Sequence, residues 1–308
     1  MTQALWLSVI QGAFLLSTPV LLAALGGVLT ARAGILNLGV EGIMLVGAFT
    51  GFSVAMTSSS AWVGLLAAML AGAALGLLFA LFSITLRANQ IVAGLALTMF
   101  ATGLSGYLGK PWIGVVSPAV FGVLRLPLLS DLPIMGEIFF RYNLLVYLSY
   151  LLVPFLWYFI FRSRPGLRLR SAGENPLAAD TMGINVIRLR YLYTAVGSAL
   201  AGAAGAYLSL AYTPGWIENM TAGRGWIAVA LMIFSGYNPI GVLAGSLLFG
   251  AVSAIALRAQ AAGTAISPFL LNMMPYILTV LALLVTTRRN RGKPGPAFLG
   301  VAYDREGH

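Results

Sequence analysis

Long uncharged apolar runs alternate with short polar clusters along this chain, and this alternation limits the folds that it can adopt. Only 8% of the residues are charged, whereas soluble domains carry roughly 25%. A helix needs about 20 residues to cross the roughly 30 Å hydrocarbon core of a bilayer. In that core every backbone polar group needs a partner within the structure, so an apolar run must be helical. The sequence therefore predicts an all-α, polytopic membrane protein with about eight to ten transmembrane helices.

Nine apolar runs are candidates for these helices. The first has no basic segment before it and is too long for the apolar core of a cleaved signal, so it is expected to be a retained span. The run GWIAVALMIFSGY has only 13 residues, so it is predicted to be a half-helix or to extend back through Met220. The runs cover roughly residues 5–29, 34–57, 61–86, 91–109, 143–161, 191–213, 225–237, 240–257 and 265–287.

Basic residues give the expected orientation. A net charge of +10 would suggest nucleic acid in a soluble protein, but here the positive charges lie between spans and near the C-terminus, so no nucleic acid partner is expected. Loops rich in Arg and Lys stay on the cytoplasmic side of a membrane. The loop 162–190 and the tail 288–308 are therefore predicted to be cytoplasmic and the loop 110–142 extracytoplasmic. All belong to one transmembrane domain, 1–308, in a lipid bilayer.

Enzyme chemistry is poorly supported. The chain has no Cys and a single His, the terminal His308, which excludes disulfides, iron–sulfur clusters and a histidine-based metal or catalytic site. No G-x-x-x-x-G-K-[ST] motif occurs, so the chain is not expected to bind ATP in the usual way. The prediction is a transport protein with no catalytic residues, no metal and no cofactor.

Asn37 and Glu41 lie within the apolar stretch ARAGILNLGVEGIMLVGAF, four positions apart and therefore on one face of a helix. An ionisable residue inside a span faces a polar cavity, a partner or a pathway. The neighbouring glycines tolerate a broken helix, which exposes backbone groups only where they line a cavity. Two roles stay open and are compatible: Asn37 as a helix cap with Glu41 near the positive helix end, or both residues as part of a pathway or gate.

A second stretch, TAGRGWIAVA, has a pattern similar to that of ARAGILNLGVEGIMLVGAF. In both, one charged residue is followed by glycine and then by an apolar helix. Many transporters contain such repeats with helices broken near the membrane midplane, so broken or re-entrant helices are expected near 34–49 and 219–237. Arg224 and Trp226 are predicted either to anchor the helix end at the interface or to line an outer vestibule. Asn89 and Gln90 begin the fourth span. They are predicted either to cap this helix or to line the inner opening of the transport pathway.

The polar stretch GENPLAADTMGINV interrupts the apolar pattern within the loop 162–190. Pro165 and Gly166 are expected to end the fifth span. Asn175 and Pro176 suit the cap and first position of a short helix, and Gly183 would end it. Ala178 and Ala179 would give this helix a shallow apolar face. It is either an amphipathic surface loop or a docking knob for a cytosolic partner.

Several motifs together resemble the permease subunits of bacterial ABC importers, and among them the simple-sugar and nucleoside group, related to the ribose and branched-chain amino-acid permeases. The match covers nearly the whole chain in the right order. The motifs are RAGILNLGVEGIMLVGAF, LRLRSAGENPLAADTMGINV, ALAGAAGAYLSL, MTAGRGWIAVA with YNPIGVLAGSLLFG, PYILTVLALLV and GPAFLGVAYDRE.

The resemblance implies the docking role for the polar stretch. In that family a G-x-N-P-x-A-A…G loop carries the helix that sits in a groove of the ATPase. It also implies a cytosolic ABC ATPase, a second permease, identical or homologous, and an extracytoplasmic solute-binding protein that lands on 110–142, with import of a small molecule across the bacterial inner membrane. The matching coupling-loop positions are Gly173, Glu174, Asn175, Pro176, Ala178, Ala179 and Gly183.

The cargo is less constrained than the class. Many members of the group carry Asn where GLALTMFATG has Thr98, a position that would bear on specificity if it touches substrate. Nucleosides are the expected cargo, and a simple sugar or an amino acid is the alternative within the family. An ion-coupled secondary transporter is the alternative outside it, but Glu41 is the one acid plainly inside an apolar region, which disfavours ion coupling.

Overall fold

The computed structural model describes residues 2–125, 135–263, 267–289 and 295–304. Within these ranges the chain is almost entirely helical. The helices are α1 (Thr2–Arg32), α2 (Val40–Ser58), α3 (Ala61–Ala80), α4 (Gln90–Gly109), α5 (Met135–Phe139), α6 (Leu144–Arg162), α7 (Arg164–Glu174), α8 (Pro176–Thr181), α9 (Val186–Tyr207), α10 (Arg224–Phe234), α11 (Pro239–Ala261) and α12 (Pro268–Arg289).

Seven helices of the described ranges are long and apolar enough to cross a membrane. They are α1, α2, α3, α4, α6, α9 and α11, and two of them are lengthened by π-helical turns, Leu81–Thr85 after α3 and Leu208–Tyr212 after α9. Helix α12 has 22 residues, but its apolar stretch Phe269–Leu281 is shorter than these seven spans. The prediction of an all-α polytopic membrane protein is confirmed.

Helix α9 is the central element, and its small residues set how closely its neighbours approach. A side-chain Cβ on Gly197 would collide with the carbonyl oxygen of Gly26 in α1, and one on Gly202 with that of Ala68 in α3. In a bilayer such small residues let helix backbones come close enough for dispersion to hold them together. The glycine-rich run of α9 is therefore a packing surface for α1, α2 and α3.

Helix α2 begins inside the molecule. Helix α1 ends at Arg32, and the chain runs through a non-helical segment, residues 33–39, before α2 starts at Val40. The break was expected, but its position corrects one prediction. Because Asn37 lies in this segment, it does not share a helical face with Glu41.

Helix α10 is short, as its 13-residue run predicts. It has 11 residues and begins at Arg224, without extending back through Met220. Its C-terminal end is followed by a turn whose carbonyl oxygens, from Gly236 and Tyr237, accept hydrogen bonds from the Arg32 guanidinium at 3.1 and 3.0 Å. Burial raises the pKa of the Tyr237 phenol, which stays neutral beside this cation.

The region after α6 differs from expectation. Pro165 and Gly166 were predicted to end the fifth span, but α6 ends at Arg162 and Pro165 lies in the first turn of α7. Ser163 caps α7 by accepting a hydrogen bond from the Gly166 N–H at 3.1 Å. Proline suits the first turn of a helix, where its missing N–H has no helical partner to lose.

The loop 110–142 carries the described β-structure. Strand β1 (Val123–Arg125) pairs antiparallel with β2 (Arg141–Asn143). Helix α5 lies between them, and Asn143 caps α6 through the Val146 N–H at 3.1 Å. Strand β2 thus joins the loop directly to the start of α6.

Candidate functional site

The Glu41 carboxylate is the most heavily hydrogen-bonded acidic group in the interior of the described chain. It is 7% exposed. Its Oε1 accepts from the Thr221 hydroxyl at 2.6 Å and from the Gly223 N–H at 2.9 Å, and its Oε2 accepts from the Gly225 N–H at 2.6 Å. A buried carboxylate of this kind is stable because donors replace its water.

Two helix N-termini meet at this carboxylate. Glu41 lies in the first turn of α2, and Gly223 and Gly225 flank the first residue of α10. The free N–H groups and the positive dipole ends of both helices favour a negative charge there. In transporters such half-helix N-termini point at anionic substrate groups, but here the anion is the protein's own side chain.

The length of α10 separates the carboxylate from Arg32. Helix α10 rises about 16 Å at 1.5 Å per residue, and the turn after its far end bonds to Arg32, the last residue of α1. An unpaired charge buried among membrane helices is costly, so the donors around Glu41 are needed for its burial.

Close glycine contacts fix the geometry around Glu41. A Cβ on Gly225 would lie 2.5 Å from the Glu41 Cα, and a Cβ on Gly42 would lie 2.7 Å from the Thr98 Cα. Helix α2 is thus pressed between α10 and α4 with no room for larger residues. The Gly that follows each charge in the two similar stretches has a packing reason in both cases.

Asn37 organises the segment before α2 without capping the helix itself. Its Oδ1 accepts from the Gly39 N–H at 2.8 Å, and its Nδ2 donates to the Ser198 hydroxyl of α9 at 3.4 Å. The N-cap residue of α2 is Gly39, which corrects the prediction that Asn37 caps it. Asn37 instead ties the broken segment to the central helix.

The polar residues of α4 also face this segment. The Gln90 side chain is buried, with its Oε1 accepting from the Leu36 N–H at 2.7 Å, and its Nε2 is without a partner among the described residues. The Thr98 hydroxyl lies 3.3 Å from the Leu38 carbonyl oxygen and 3.1 Å from that of Gly94. Thr98 is therefore occupied by backbone acceptors.

Asn89 has a different position from its neighbour. Its side chain is exposed and accepts from the Ile91 and Val92 N–H groups at 2.9 and 3.2 Å. This is a helix cap. Of the two roles predicted for Asn89, the capping role has the contacts.

Arg224 and Trp226 point to different sides of α10, since residues two apart do not face each other on a helix. The Arg224 guanidinium donates to the Met220 and Thr221 carbonyl oxygens. It lines a 290 Å³ cavity with Tyr212, Ser253 and Tyr276. Trp226 is 38% exposed. The anchoring role and the vestibule role of these two residues both stay predictions.

The polar stretch forms α8, as its N-P dipeptide predicts, and α8 pairs with α7, which was not predicted. Asn175 caps α8 through the Ala178 N–H at 3.0 Å, Pro176 is its first residue, and Gly183 ends it with a φ of +80°. Gly173 packs directly on the Arg32 carbonyl oxygen, so a Cβ there has no room. The pair is seated on the end of α1.

The exposed face of α8 differs from the predicted one. Ala179 is 3% exposed and packs with Ala172, Val186 and Tyr303, so it cannot belong to a free apolar face with Ala178. The exposed apolar side chains are Leu177, 48% exposed, and Met182, 82% exposed. Exposed apolar side chains that lie together outside the long spans are candidates for a partner contact.

A groove of 540 Å³ lies beside Met182. Arginines and apolar side chains share its wall, so it suits a partner surface that is both acidic and apolar. Its walls include Pro165, Arg168, Met182, Arg188, Leu192 and Tyr193.

The structure thus gathers the predicted residues into two groups. Asn37, Glu41 and Thr98 surround the start of α2, and the coupling-loop residues form the α7–α8 pair. The partners of Glu41 and Asn37, namely Thr221, Gly223, Gly225 and Ser198, were not identified. The G-R-G motif was the one signal for them, because a glycine on each side of a helix start permits close approach of a second backbone.

Comparison with known proteins assigns the family. The family described as "Branched-chain amino acid transport system / permease component" matches residues 9–285. The chain is 39% identical to the putative glucose ABC transporter permease protein TsgC13 of Haloferax volcanii, over 94% of this chain and 95% of that protein. It is 36% identical to the guanosine ABC transporter permease protein NupQ of Bacillus subtilis, over 90% of this chain and 91% of that one.

A third relative is the nucleoside ABC transporter permease protein NupC of Lactococcus lactis, at 37% identity over 89% of this chain and 90% of that protein. Two of these organisms also have a less similar permease that is named for the same cargo. TsgB13 of Haloferax volcanii is 27% identical and NupP of Bacillus subtilis is 24% identical. No solved structure matches the chain. With a match that spans nearly all of its membrane helices, the chain belongs to the branched-chain amino acid transport system permease family.

Proposed function

We propose that this chain is one of two non-identical permeases in an ATP-driven importer of nucleosides. The permease class itself follows from the family: such subunits are multi-pass proteins of the inner membrane, carry no catalysis and work with a separate ATPase and a solute-binding protein. The observation that carries the proposal for this chain is the α7–α8 pair, whose exposed Leu177 and Met182 border a basic groove.

The α7–α8 pair is the proposed contact with the ATPase. Coupling needs an element that is exposed to the partner and rigidly joined to the membrane helices. The pair meets both needs, since Leu177 and Met182 are exposed while Gly173 packs on the Arg32 carbonyl. ATP binding would move the pair, and α1 with it, so that the permeases alternate between two access states.

The second permease is proposed to be a different polypeptide. Two permeases named for the same cargo match this chain in each of two organisms. Their identities are 39% and 27% in Haloferax volcanii, and 36% and 24% in Bacillus subtilis. A homodimeric system would need a single permease. This chain therefore corresponds to the TsgC13 and NupQ position, opposite a partner of the other type.

Nucleosides are favoured as cargo by the names of NupQ and NupC and by the exposed ring of Trp226 at the start of α10. Stacking of a nucleobase on an aromatic side chain contributes about 1–3 kcal/mol of binding free energy per base. The presence of Thr98 where many members of the group carry Asn is a weak argument against nucleosides. The Thr98 hydroxyl is buried and bonded to backbone oxygens. Glucose is the second candidate, supported by the name of TsgC13.

The extracytoplasmic solute-binding protein is proposed to land on the 110–142 loop. The paired strands β1 and β2 offer a surface there, and β2 leads directly into α6. A landing signal could therefore reach a membrane span without a flexible linker.

Co-purification and uptake together test the proposal. The tagged chain is drawn from gently solubilised native membranes and the accompanying proteins are identified by mass. We expect an ABC ATPase and a second, different permease in near-equal amounts. Cells lacking the chain should lose uptake of labelled guanosine and uridine but keep glucose uptake. A chain that purifies without an ATPase, with uptake abolished by a protonophore, would instead be an ion-coupled carrier; loss of glucose uptake alone would favour the second candidate.

A further inference from the structure

The C-terminal segment 295–304, here called the strap, bonds to two parts of the molecule that are distant in sequence. Its Phe298 N–H donates to the Gly173 carbonyl at 3.0 Å, and its Ala297 N–H donates to the Glu174 carboxylate at 3.2 Å. Both acceptors lie at the end of α7. The strap is thus fastened to the helix pair that carries the proposed ATPase contact.

The other attachment is the non-helical segment 33–39 before α2. The Gly300 N–H donates to the Gly34 carbonyl at 3.1 Å. The Arg190 guanidinium lies between the two segments, with Nε donating to the Ala33 carbonyl at 3.1 Å and Nη1 to the Val301 carbonyl at 3.2 Å. Arg190 is 1% exposed, so this bridge is formed away from water and is worth more than a surface contact.

The end of the strap is held as well. Tyr303 packs among Ala172, Ala179 and Val186, and its ring faces the Arg190 guanidinium at 5.8 Å. The Asp304 carboxylate forms a bidentate ion pair with Arg87, which lies between α3 and α4. The strap therefore reaches α7, the segment 33–39 and the α3–α4 connection.

These attachments give the strap a mechanical role. The segment 33–39 has no continuous helical bonding of its own, and it leads into Asn37, Glu41 and the start of α2. A displacement of α7 would reach it through the strap's paired backbone as well as through α1. We propose that residues 295–304 transmit movement of α7–α8 to the start of α2, with Arg190, Arg87 and Asp304 as positioning residues. This inference rests on the proposed function.

Charge reversal of the exposed ion pair tests the role without touching the buried bridge. The variants are Arg87→Asp, Asp304→Arg and the double swap, each in the complete importer reconstituted in vesicles. The readout is cargo taken up per ATP hydrolysed, beside the ATPase rate and the yield of assembled complex. Arg164→Asp, an exposed cation at the start of α7 outside the strap, is the control.

Each single variant should hydrolyse ATP at close to the normal rate but take up less cargo per ATP, by up to about fivefold, since a surface ion pair is worth up to about 1 kcal/mol. The double swap should restore the ratio, and Arg164→Asp should not change it. Because the chain has no Cys, a cysteine pair at positions 87 and 304 joined by a bifunctional thiol cross-linker should restore it too; a direct disulfide is too short to replace an Arg–Asp contact.

Two results would overturn the inference. If the single variants lower uptake and ATP hydrolysis by the same factor, or lower only the yield of complex, the strap is a structural tie. If cross-linking the two cysteines leaves the ratio unchanged from that of the same pair without cross-linker, the attachment at Asp304 does not carry movement. Failure of the proposed function is seen separately, as a wild-type chain that assembles with no ATPase, and it would remove the basis of this inference as well.

Discussion

The Glu41 carboxylate accepts a hydrogen bond from the Gly225 N–H at 2.6 Å, although the two residues lie 184 positions apart in the chain. This single contact joins the start of α2 to the start of α10. Both helices begin inside the molecule, and each supplies what the other lacks: a negative side chain on one side and unpaired N–H donors on the other. If the start of α2 or of α10 moves, the start of the other helix must therefore move with it or lose this hydrogen bond.

Gly225→Ala should damage this junction. The new Cβ would lie 2.5 Å from the Glu41 Cα, a distance at which one backbone must shift. We expect the melting temperature of the detergent-solubilised chain to fall and uptake to be lost, as in overpacked cores that cost about 1–3 kcal/mol. Gly103→Ala is the matched control, because a Cβ at this α4 position meets nothing within 4 Å. Equal stability of the two variants would contradict the close packing.

Glu41→Gln should be unfavourable despite its similar shape. Three donors converge on the carboxylate, and a Gln amide would direct its own N–H₂ group at one of them. Leaving a buried donor unpaired costs about 1–3 kcal/mol, which thermal unfolding in detergent would measure. Glu218→Gln, on the exposed segment before α10, should be neutral.

The same Glu41→Gln variant also separates a structural carboxylate from an ion site. A structural role predicts that residual uptake keeps its wild-type dependence on ATP and does not respond to a proton or sodium gradient. Residual uptake that loses a gradient dependence present in the wild type would instead identify Glu41 as an ion-coupling residue.

Asn89 should tolerate any side chain that can cap α4. Its Oδ1 accepts from the Ile91 and Val92 N–H groups. Asn89→Ser and Asn89→Asp should keep stability and uptake, whereas Asn89→Ala should lose about 1 kcal/mol of stability. Thermal unfolding and initial uptake rates measure both. Loss of uptake in the Ser and Asp variants at unchanged stability would show that Asn89 contacts the cargo at the inner mouth.

Features that depend on local sequence were predictable. The apolar runs locate the long spans within a few residues, because crossing a bilayer needs a minimum length and no charge. The dipeptide Asn175-Pro176 and Gly183 give the bounds of α8, since cap, first position and stop each need a particular residue type. The 13-residue run gives the short α10.

Features that depend on contacts between distant segments could not be predicted from the sequence. Two of the three donors to Glu41 are main-chain N–H groups, which every non-proline residue has, so no pattern identifies them. Helix α7 was missed because Pro165 and Gly166 suit the end of a helix as well as its start. The strap has no periodicity, and its bonds to Gly34 and Gly173 exist only once the fold has formed.

Met182→Asp should separate docking from folding. Met182 is 82% exposed at the end of α8, so a charge there costs the isolated chain little. If the ATPase covers this side chain, the same charge would be buried on assembly at a cost of several kcal/mol. We expect normal yield and melting temperature but at least about tenfold weaker retention of the ATPase in co-purification, since about 1.4 kcal/mol is tenfold. Met182→Leu, which keeps the apolar surface, should bind normally, and ATPase retention equal to wild type in Met182→Asp would place the docking surface elsewhere.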